Sequence, residues 1–176
     1  MKKSVLYASV FLIFLTFFTG AVKIDTNRQL ESGFEEVVVV NLEELEKLKQ
    51  DSVIKLKAEK IDEFFSRGNM PLEGYGYKFV EVAEKYDLPY NLLPAIATQE
   101  STGGKRCINN NPFGWGSGKI KFKNFEESIE VVGEKMANHK YYKDKTITQK
   151  LSTYNKEDEK YQIKIFSFMK KIDEMV

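Results

Sequence analysis

The sequence contains very little cysteine and histidine, with only Cys107 and His139 among its 176 residues. A disulfide within the chain is therefore excluded, and so are zinc sites built from several cysteines and histidines. A Ser-His-Asp or Cys-His catalytic arrangement would have to use His139. A thiol peptidase or amidase that uses Cys107 and His139 stays open as an alternative, although Cys107 lies in an asparagine-rich segment rather than at a helix start. The sequence implies no metal ion and no organic cofactor.

An excess of charge of either sign is also lacking. The 27 basic and 26 acidic residues give a formal net charge of +1, so no global basic field would attract nucleic acid, and none is expected as a partner. Internal repeats and low-complexity tracts are absent. Hydrophobic residues make up 42% of the chain and aromatic residues 13%, enough for the core of one domain of ordinary size.

The amino terminus has the pattern of an export signal. Lys2 and Lys3 precede an uncharged apolar run over 5–22, and Thr19, Gly20 and Ala21 form a small-residue cleavage site. The run is also nearly long enough to span a bilayer, so residues 1–22 are predicted to be either a cleaved signal peptide or a membrane anchor. In both cases the rest of the chain is expected outside the cytoplasm, secreted or attached to the membrane by this segment.

After this segment, the sequence predicts a tether and helical stalk over 23–59 and a single domain over 60–176. The fold class is predicted to be α+β and predominantly α-helical. Residues 105–124 have no helical period and are rich in asparagine and glycine, which predicts a loop or a small β-lobe. Apolar spacing, together with proline and glycine breaks, predicts helices over 41–66, around 79–86, from about 91 to 102, over 125–136, over 146–151 and over 161–172.

Glu100 is the acidic residue with the most suggestive position. Leu93, Ile96, Ala97 and Glu100 follow the i, i+3, i+4, i+7 spacing of one helix face, so Glu100 would project from an apolar stripe. It would also lie in the last turn, where the helix dipole opposes negative charge. Burial and dipole both raise a carboxyl pKa, and a glycosidic oxygen needs a proton donor of this kind. The alternative is an exposed glutamate at a helix end.

Three motifs resemble those of peptidoglycan-cleaving enzymes. Residues 92–104 (LLPAIATQESTGG) resemble the helix that carries the catalytic glutamate in the lysozyme-like superfamily, which ends in Glu-Ser and a glycine turn. Residues 110–115 (NNPFGW) resemble the Asn-Asn-x-Phe-Gly segment of bacterial endo-β-N-acetylglucosaminidases. Residues 153–155 (TYN) are similar to an element that lines the cleft in those enzymes and in lytic transglycosylases. The resemblance spans about 61–172, with the motifs in the same order.

The resemblance implies a lysozyme-like domain that acts as a monomer on peptidoglycan glycan strands, with Glu100 as general acid. Asparagine side chains offer the donor and the acceptor that an N-acetyl group requires, and aromatic rings offer flat faces for sugars. Core packing is the alternative for Phe113 and Trp115, core filling for Tyr154, and a helix cap for Ser101. The residues predicted to contact substrate are Ser101, Asn110, Asn111, Phe113, Trp115 and Tyr154.

The type of chemistry depends on a second carboxylate. No Asp or Glu lies between Glu100 and Glu126, and the nearest candidates are Asp87, Glu126 and Glu127. Hydrolysis with two protein carboxylates needs the second within about 5–9.5 Å. A single acid favours participation by the substrate's N-acetyl group, as in lytic transglycosylases, whereas the Asn-Asn-Pro-Phe-Gly segment favours a glucosaminidase. A non-catalytic glycan-binding module on a membrane stalk is the alternative from another class.

Overall fold

The computed structural model describes residues 41–175, whose regular structure is helical. A helix is present at each predicted position, which confirms the predominantly α-helical class. Residues 1–40, which include the predicted signal or anchor and most of the tether, lie outside the described part. The helices are α1 (Leu42–Arg67), α2 (Gly76–Tyr86), α3 (Leu92–Ser101), α4 (Phe125–Asn138), α5 (Ile147–Tyr154) and α6 (Tyr161–Asp173).

The structure has no β-strand between residues 42 and 175, so it lacks the predicted β-lobe there. Residues 105–124 form a loop of consecutive turns, which is the other of the two predicted alternatives. Asn109 and Asn110 have φ angles of 58° and 51°, and Gly114, Gly116 and Gly118 are also left-handed. A strand requires an extended backbone, so left-handed residues at this density prevent strand pairing.

Contacts divide the chain into two compact units, 1–50 and 51–176. Residues 41–50, the described part of the first unit, are all exposed. In the second unit, α1 enters the core at Ala58 and continues with Ile61 and Phe65, three positions on one helix face. No helix between residues 41 and 175 is long and apolar enough to cross a membrane.

Helix α3 is a core helix. Its residues from Leu92 to Thr98 are all buried, as expected of a helix that is apolar on every side. Full burial of each of its leucine and isoleucine side chains contributes about 1.5–3 kcal/mol. Pro94 is tolerated because it lies in the first turn, where a missing N–H breaks no helical hydrogen bond. Helix α3 packs against α6, and α2 packs against α4.

Polar side chains fasten the carboxyl end of α6 to the rest of the unit. Asn91 is the residue before α3, but its side chain does not cap the helix as its type predicts. Its amide donates to the Asp173 carboxylate at 2.9 Å, and the Tyr90 hydroxyl donates to the same oxygen at 2.5 Å. The Lys60 ammonium of α1 donates to the Asp173 carbonyl at 2.6 Å. These bonds hold α6 in register against α3.

Candidate active-site cleft

Glu100 lies where α3 leaves the core. The helix ends at Ser101, because Thr102 adopts a left-handed φ of 56° and its N–H bonds back to the Ala97 and Thr98 carbonyls. The predicted apolar stripe does not distinguish Glu100, since α3 is buried on all sides as far as Thr98. Glu100 is distinguished by its position at the helix end, because the chain emerges from the core into a cleft there.

The cleft has a volume of about 470 Å³. Three loop or helix-end segments line it beside Glu100: the middle of the 105–124 loop, the α4–α5 connection and the end of α5. The lining residues are Glu100, Phe113, Gly114, Trp115, Gly116, Ser117, His139, Tyr141, Tyr142, Tyr154 and Asn155. Glu100, Phe113, Trp115 and Tyr154, all predicted from the sequence, are among them.

The Glu100 carboxyl lies in surroundings that favour its neutral form. Glu100 is an exposed residue because it faces the cleft. The protein around its carboxyl nevertheless removes part of the water that would solvate it. This burial raises the Glu100 pKa, and a hydrogen bond from Tyr161 opposes the shift without cancelling it. No lysine or arginine among residues 41–175 forms a salt bridge with Glu100. The predicted rise in pKa is present, with burial as its main cause.

Tyr161, the first residue of α6, orients the carboxyl. Its hydroxyl donates to Glu100 Oε1 at 2.7 Å, and the tyrosine is buried. Burial raises the Tyr161 pKa, as do the neighbouring Tyr154 and Glu100, so the hydroxyl keeps its proton and remains a donor. Since Oε1 already accepts this bond, a proton on the neutral carboxyl is favoured on Oε2.

Gly114 lies beside that second oxygen. A Cβ at this position would lie 3.3 Å from Glu100 Oε2, and the backbone has a left-handed φ of 61°. Both observations favour glycine, because a side chain would be strained and would crowd the carboxyl oxygen. The loop backbone therefore comes close to the Glu100 carboxyl at this point.

Six aromatic rings form a continuous series, which we call the aromatic row: it begins at the buried Tyr161, the hydrogen-bond partner of Glu100, and continues through five rings that line the cleft. Ring centroids of successive members lie 5.1–6.5 Å apart, and the first two rings are stacked with an interplanar angle of 11°. Spacings of this kind stabilise aromatic pairs beyond their buried area. In order, the members are Tyr161, Tyr154, Trp115, Tyr142, His139 and Tyr141.

Tyr154 contributes its ring rather than a free hydroxyl. The hydroxyl donates to the Phe113 carbonyl, which uses its one proton. Burial of the hydroxyl raises the Tyr154 pKa, and the nearby Glu100 raises it further. The ring itself is half-buried and packs between Trp115 and Tyr161. Tyr154 therefore ties α5 to the 105–124 loop and presents an apolar face to the cleft.

Ser101 has a structural position that differs from its predicted contact with substrate. It is buried, and its hydroxyl accepts from the Gly104 N–H at 2.9 Å and lies 2.7 Å from the Pro112 carbonyl. Its hydrogen-bonding capacity is used within the protein. The bonds connect the end of α3 to the loop that carries the aromatic residues of the cleft.

Asn110 and Asn111 also build the loop instead of lining the cleft. The Asn111 amide donates to the Trp115 and Ile120 carbonyls at 2.8 and 3.2 Å, and its oxygen accepts from the Trp115 N–H. The Asn110 amide donates to the carbonyls of Phe122 and Lys123. These amides satisfy backbone groups that strand pairing would otherwise satisfy. Neither residue lines the cleft.

Phe113 and Trp115 have different environments, although both were predicted as sugar platforms. The Phe113 side chain is completely buried, so it belongs to the core beneath the cleft. Trp115 is half-buried, with its ring between those of Tyr142 and Tyr154. Of the two, only Trp115 has a ring surface that a ligand can reach.

Glu100 is the only carboxylate among the residues that line the cleft. Asp87 is the left-handed residue that ends α2, while Glu126 and Glu127 are exposed in the first turn of α4. Glu127 accepts a hydrogen bond from the Lys123 N–H. None of the three predicted second carboxylates lines the cleft. Between residues 41 and 175, no group of three His, Cys, Asp or Glu side chains is placed to hold a metal ion.

Cys107 has the opposite properties to a catalytic thiol. It does not line the cleft, whereas His139 does. Burial raises the pKa of the Cys107 thiol, which disfavours the thiolate that a nucleophile requires. The thiol peptidase alternative therefore has no support from the site.

The sequence did not single out three residues of the site, namely Tyr161, Tyr141 and Tyr142. Tyr161 has helical spacing with Ile165 and Ile172, which indicates core packing, and it is indeed buried. Its contact with Glu100 spans 61 residues, a separation at which local periodicity carries no information. For Tyr141 and Tyr142, the one signal available was that two tyrosines are adjacent in the sequence after the end of α4.

No protein-family model matches the chain, and no curated protein or solved structure is similar enough to count as a match.

Proposed function

We propose that the protein is a lysozyme-like glycosidase that cuts β-1,4-glycosidic bonds in peptidoglycan strands, with Glu100 as its general acid. The observation that carries the proposal is a carboxyl with a raised pKa at one end of a cleft lined by aromatic rings. Glycoside cleavage requires a proton donor of this kind, and sugars bind to aromatic faces. The apolar segment at 1–22 adds the proposal that the enzyme acts outside the cytoplasm.

In the proposed reaction, Glu100 transfers the proton on Oε2 to the glycosidic oxygen as that bond breaks. Tyr161 holds Oε1, which fixes the direction of the proton. The leaving sugar departs as an alcohol, and positive charge develops at the anomeric carbon of the other sugar. The Glu100 carboxylate left behind accepts the Tyr161 hydrogen bond, which lowers the cost of its negative charge.

A single carboxylate in the cleft favours help from the substrate at the anomeric carbon. In the proposed pathway, the N-acetyl oxygen attacks that carbon and replaces the protein nucleophile. Water then opens the cyclic intermediate to give a reducing end, or the 6-hydroxyl of a muramic acid closes an anhydro ring. Glu100 as carboxylate would accept the proton of the incoming hydroxyl in either case.

The test is mass spectrometry of the soluble products released from purified peptidoglycan by the wild-type protein and by Glu100→Gln. We expect the variant to release products roughly 10²–10⁴-fold more slowly, the usual contribution of a general acid. The matched control is Glu126→Gln, which changes an exposed glutamate that does not line the cleft and should leave the rate unchanged. Reducing ends would identify a hydrolase, and anhydro-muramic ends a transglycosylase.

The absence of a second carboxylate from the cleft lining favours one other candidate, a glycan-binding module without catalysis. Such a module would bind strands but release no products, and Glu100→Gln would leave its affinity unchanged. If neither protein released products from several types of peptidoglycan, the enzyme proposal would fail and the binding module would replace it.

A further inference from the structure

Charge is distributed unevenly over the chain although its total is close to zero. The two segments that contain most of the cleft lining, 101–125 and 139–156, hold ten of the 27 basic residues but only one of the 26 acidic ones, Asp144. The remainder of the described part is therefore acidic on balance. A local excess of one sign near a cleft concentrates ligands of the opposite sign.

The basic residues of these two segments also lack salt-bridge partners among the described residues. None of the ten forms a salt bridge with an acidic residue in the part of the chain that the structure describes. In contrast, eight of the thirteen other basic residues between 41 and 175 do so. Most of the basic residues elsewhere in the described part thus form salt bridges, whereas those of the two segments do not.

Four of the ten have other tasks in the fold. Lys105 donates to the Gly68 carbonyl, Arg106 to the Thr102 hydroxyl and Lys145 to the Thr153 hydroxyl. Lys150 is buried and donates to the carbonyls of Met136 and Tyr142. The other six are exposed, and we call them the basic rim: Lys119, Lys121, Lys123, Lys140, Lys143 and Lys156.

Four of the six lysines of the basic rim adjoin the cleft along the chain. Lys140 lies between His139 and Tyr141, and its ammonium is 5.2 Å from the centre of the Tyr141 ring. Lys143 and Lys156 each follow a lining residue directly, and Lys119 follows Ser117 by two. Two residues span at most about 7 Å of chain, which is within the screening length of about 8 Å at physiological salt.

We propose that the basic rim binds the carboxylates of an acidic glycan strand whose sugar rings occupy the aromatic row, so that the cleft selects carboxylate-bearing strands over neutral ones. This inference rests on the proposed function in that the strand occupies the same cleft. The lysines lie on the segments that carry the rings, so the charges they bind belong to the molecule in the cleft. An acidic polymer lying elsewhere would not need them there.

The chain offers a direct probe of binding. Trp115 is its only tryptophan and lies in the cleft, so its fluorescence should report occupancy. The full-length protein carrying Glu100→Gln would be titrated with soluble peptidoglycan strands, native or with their carboxyl groups converted to neutral methylamides. We expect native strands to bind roughly ten-fold tighter at low salt, with the difference disappearing near 1 M salt, where the screening length is about 3 Å.

The decisive variant is Lys119→Gln/Lys143→Gln/Lys156→Gln, which changes three exposed lysines that lie within two residues of the cleft lining. It should lose most of the preference for native strands while keeping its affinity for the neutral ones, which also shows that it is folded. The matched control, Lys55→Gln/Lys170→Gln/Lys171→Gln, removes the same charge from exposed lysines outside both segments and should keep the preference.

Equal affinity for native and neutral strands would overturn the inference, and so would an equal loss in the control. A single-stranded oligonucleotide that binds as tightly as native strands would overturn the assignment to glycans. These results are separable from the proposed function. Products released equally from native and neutral strands would contradict only the role of the basic rim. Selective binding without release of products would contradict only the catalytic proposal.

Discussion

Two glutamates in this protein, Glu130 and Glu100, lie in opposite electrostatic surroundings. Glu130, on α4, accepts hydrogen bonds from Lys78 at 2.9 Å, Lys85 at 2.5 Å and Tyr86 at 2.7 Å. Hydrogen bonds from Lys78 and Lys85 lower the Glu130 pKa to about 2. Glu100 has one hydrogen bond, from a neutral tyrosine, and burial raises its pKa.

The comparison shows that cationic partners outweigh burial at Glu130, whereas at Glu100, which has no such partner, burial sets the direction of the pKa shift. A charged partner stabilises the carboxylate, whereas a neutral donor does so only weakly. Glu130 therefore serves as a permanent anion that joins α4 to α2. Glu100 retains a proton to higher pH, which suits a donor but does not help the fold. The ten unpaired basic residues near the cleft leave this contrast intact, because none forms a salt bridge with Glu100.

The largest stability effect should come from Ser101→Ala, which tests whether the buried polar groups next to the cleft are purely structural. The variant leaves the buried Gly104 N–H and Pro112 carbonyl without a partner. We expect the free energy of unfolding to fall by about 2 kcal/mol, within the usual cost of unsatisfied buried groups. Urea unfolding measures it. Unchanged stability with weaker glycan binding would instead support the role predicted from the sequence.

Glu130→Gln removes the carboxylate that the cations stabilise, which belongs to one of the two glutamates compared above. Because its folded-state pKa is lowered, Glu130 contributes stability above its unfolded pKa near 4.5, and the contribution is lost as pH falls towards about 2. After allowance for partial solvent screening, the loss at pH 7 should be about 1 kcal/mol. Thermal unfolding of both proteins between pH 2 and 8 measures it. A stability difference that is independent of pH would contradict this explanation.

Glu100→Gln should have the opposite and smaller effect on stability. A carboxyl with a raised folded-state pKa makes the fold less stable as pH rises from 4.5 through that pKa, because the unfolded chain releases the proton more readily. The variant should therefore melt slightly higher than the wild type at pH 7 and at the same temperature below pH 4. A lower melting temperature at pH 7 would show that the carboxylate stabilises the fold.

Tyr161→Phe should have the smallest effect of these variants, and it tests most directly whether Tyr161 positions Glu100. Removal of the hydroxyl deletes the hydrogen bond that lowers the Glu100 pKa, so this pKa should rise further. If Glu100 is the general acid, the alkaline limb of the pH–rate profile should move to higher pH. The rate of product release measured across pH gives the shift. A limb that stays in place would exclude Tyr161 as the residue that positions Glu100.

The helices were predictable from the sequence because their signals are local. For example, Asp87 and Pro89 separate α2 from α3, and Thr102 and Gly103 follow the end of α3. Glu100 and Trp115 were also placed correctly in the cleft. Tyr161 was not, because its role depends on how α6 packs against α3. Asn110 and Asn111 lie outside the cleft lining, because the same amide groups that suit a sugar also suit a strandless loop.

The hydrogen bond between Tyr161 and Glu100 has a consequence for the order of folding. It joins residues 61 positions apart, and contacts of such separation form only after a large loss of chain entropy. Nascent or partly folded chains would have α3, and thus Glu100, without the tyrosine that orients the carboxyl. The cleft, whose lining extends along the chain from Glu100 to Asn155, would also be incomplete in such chains, so the proposed activity would appear only once the native topology is complete.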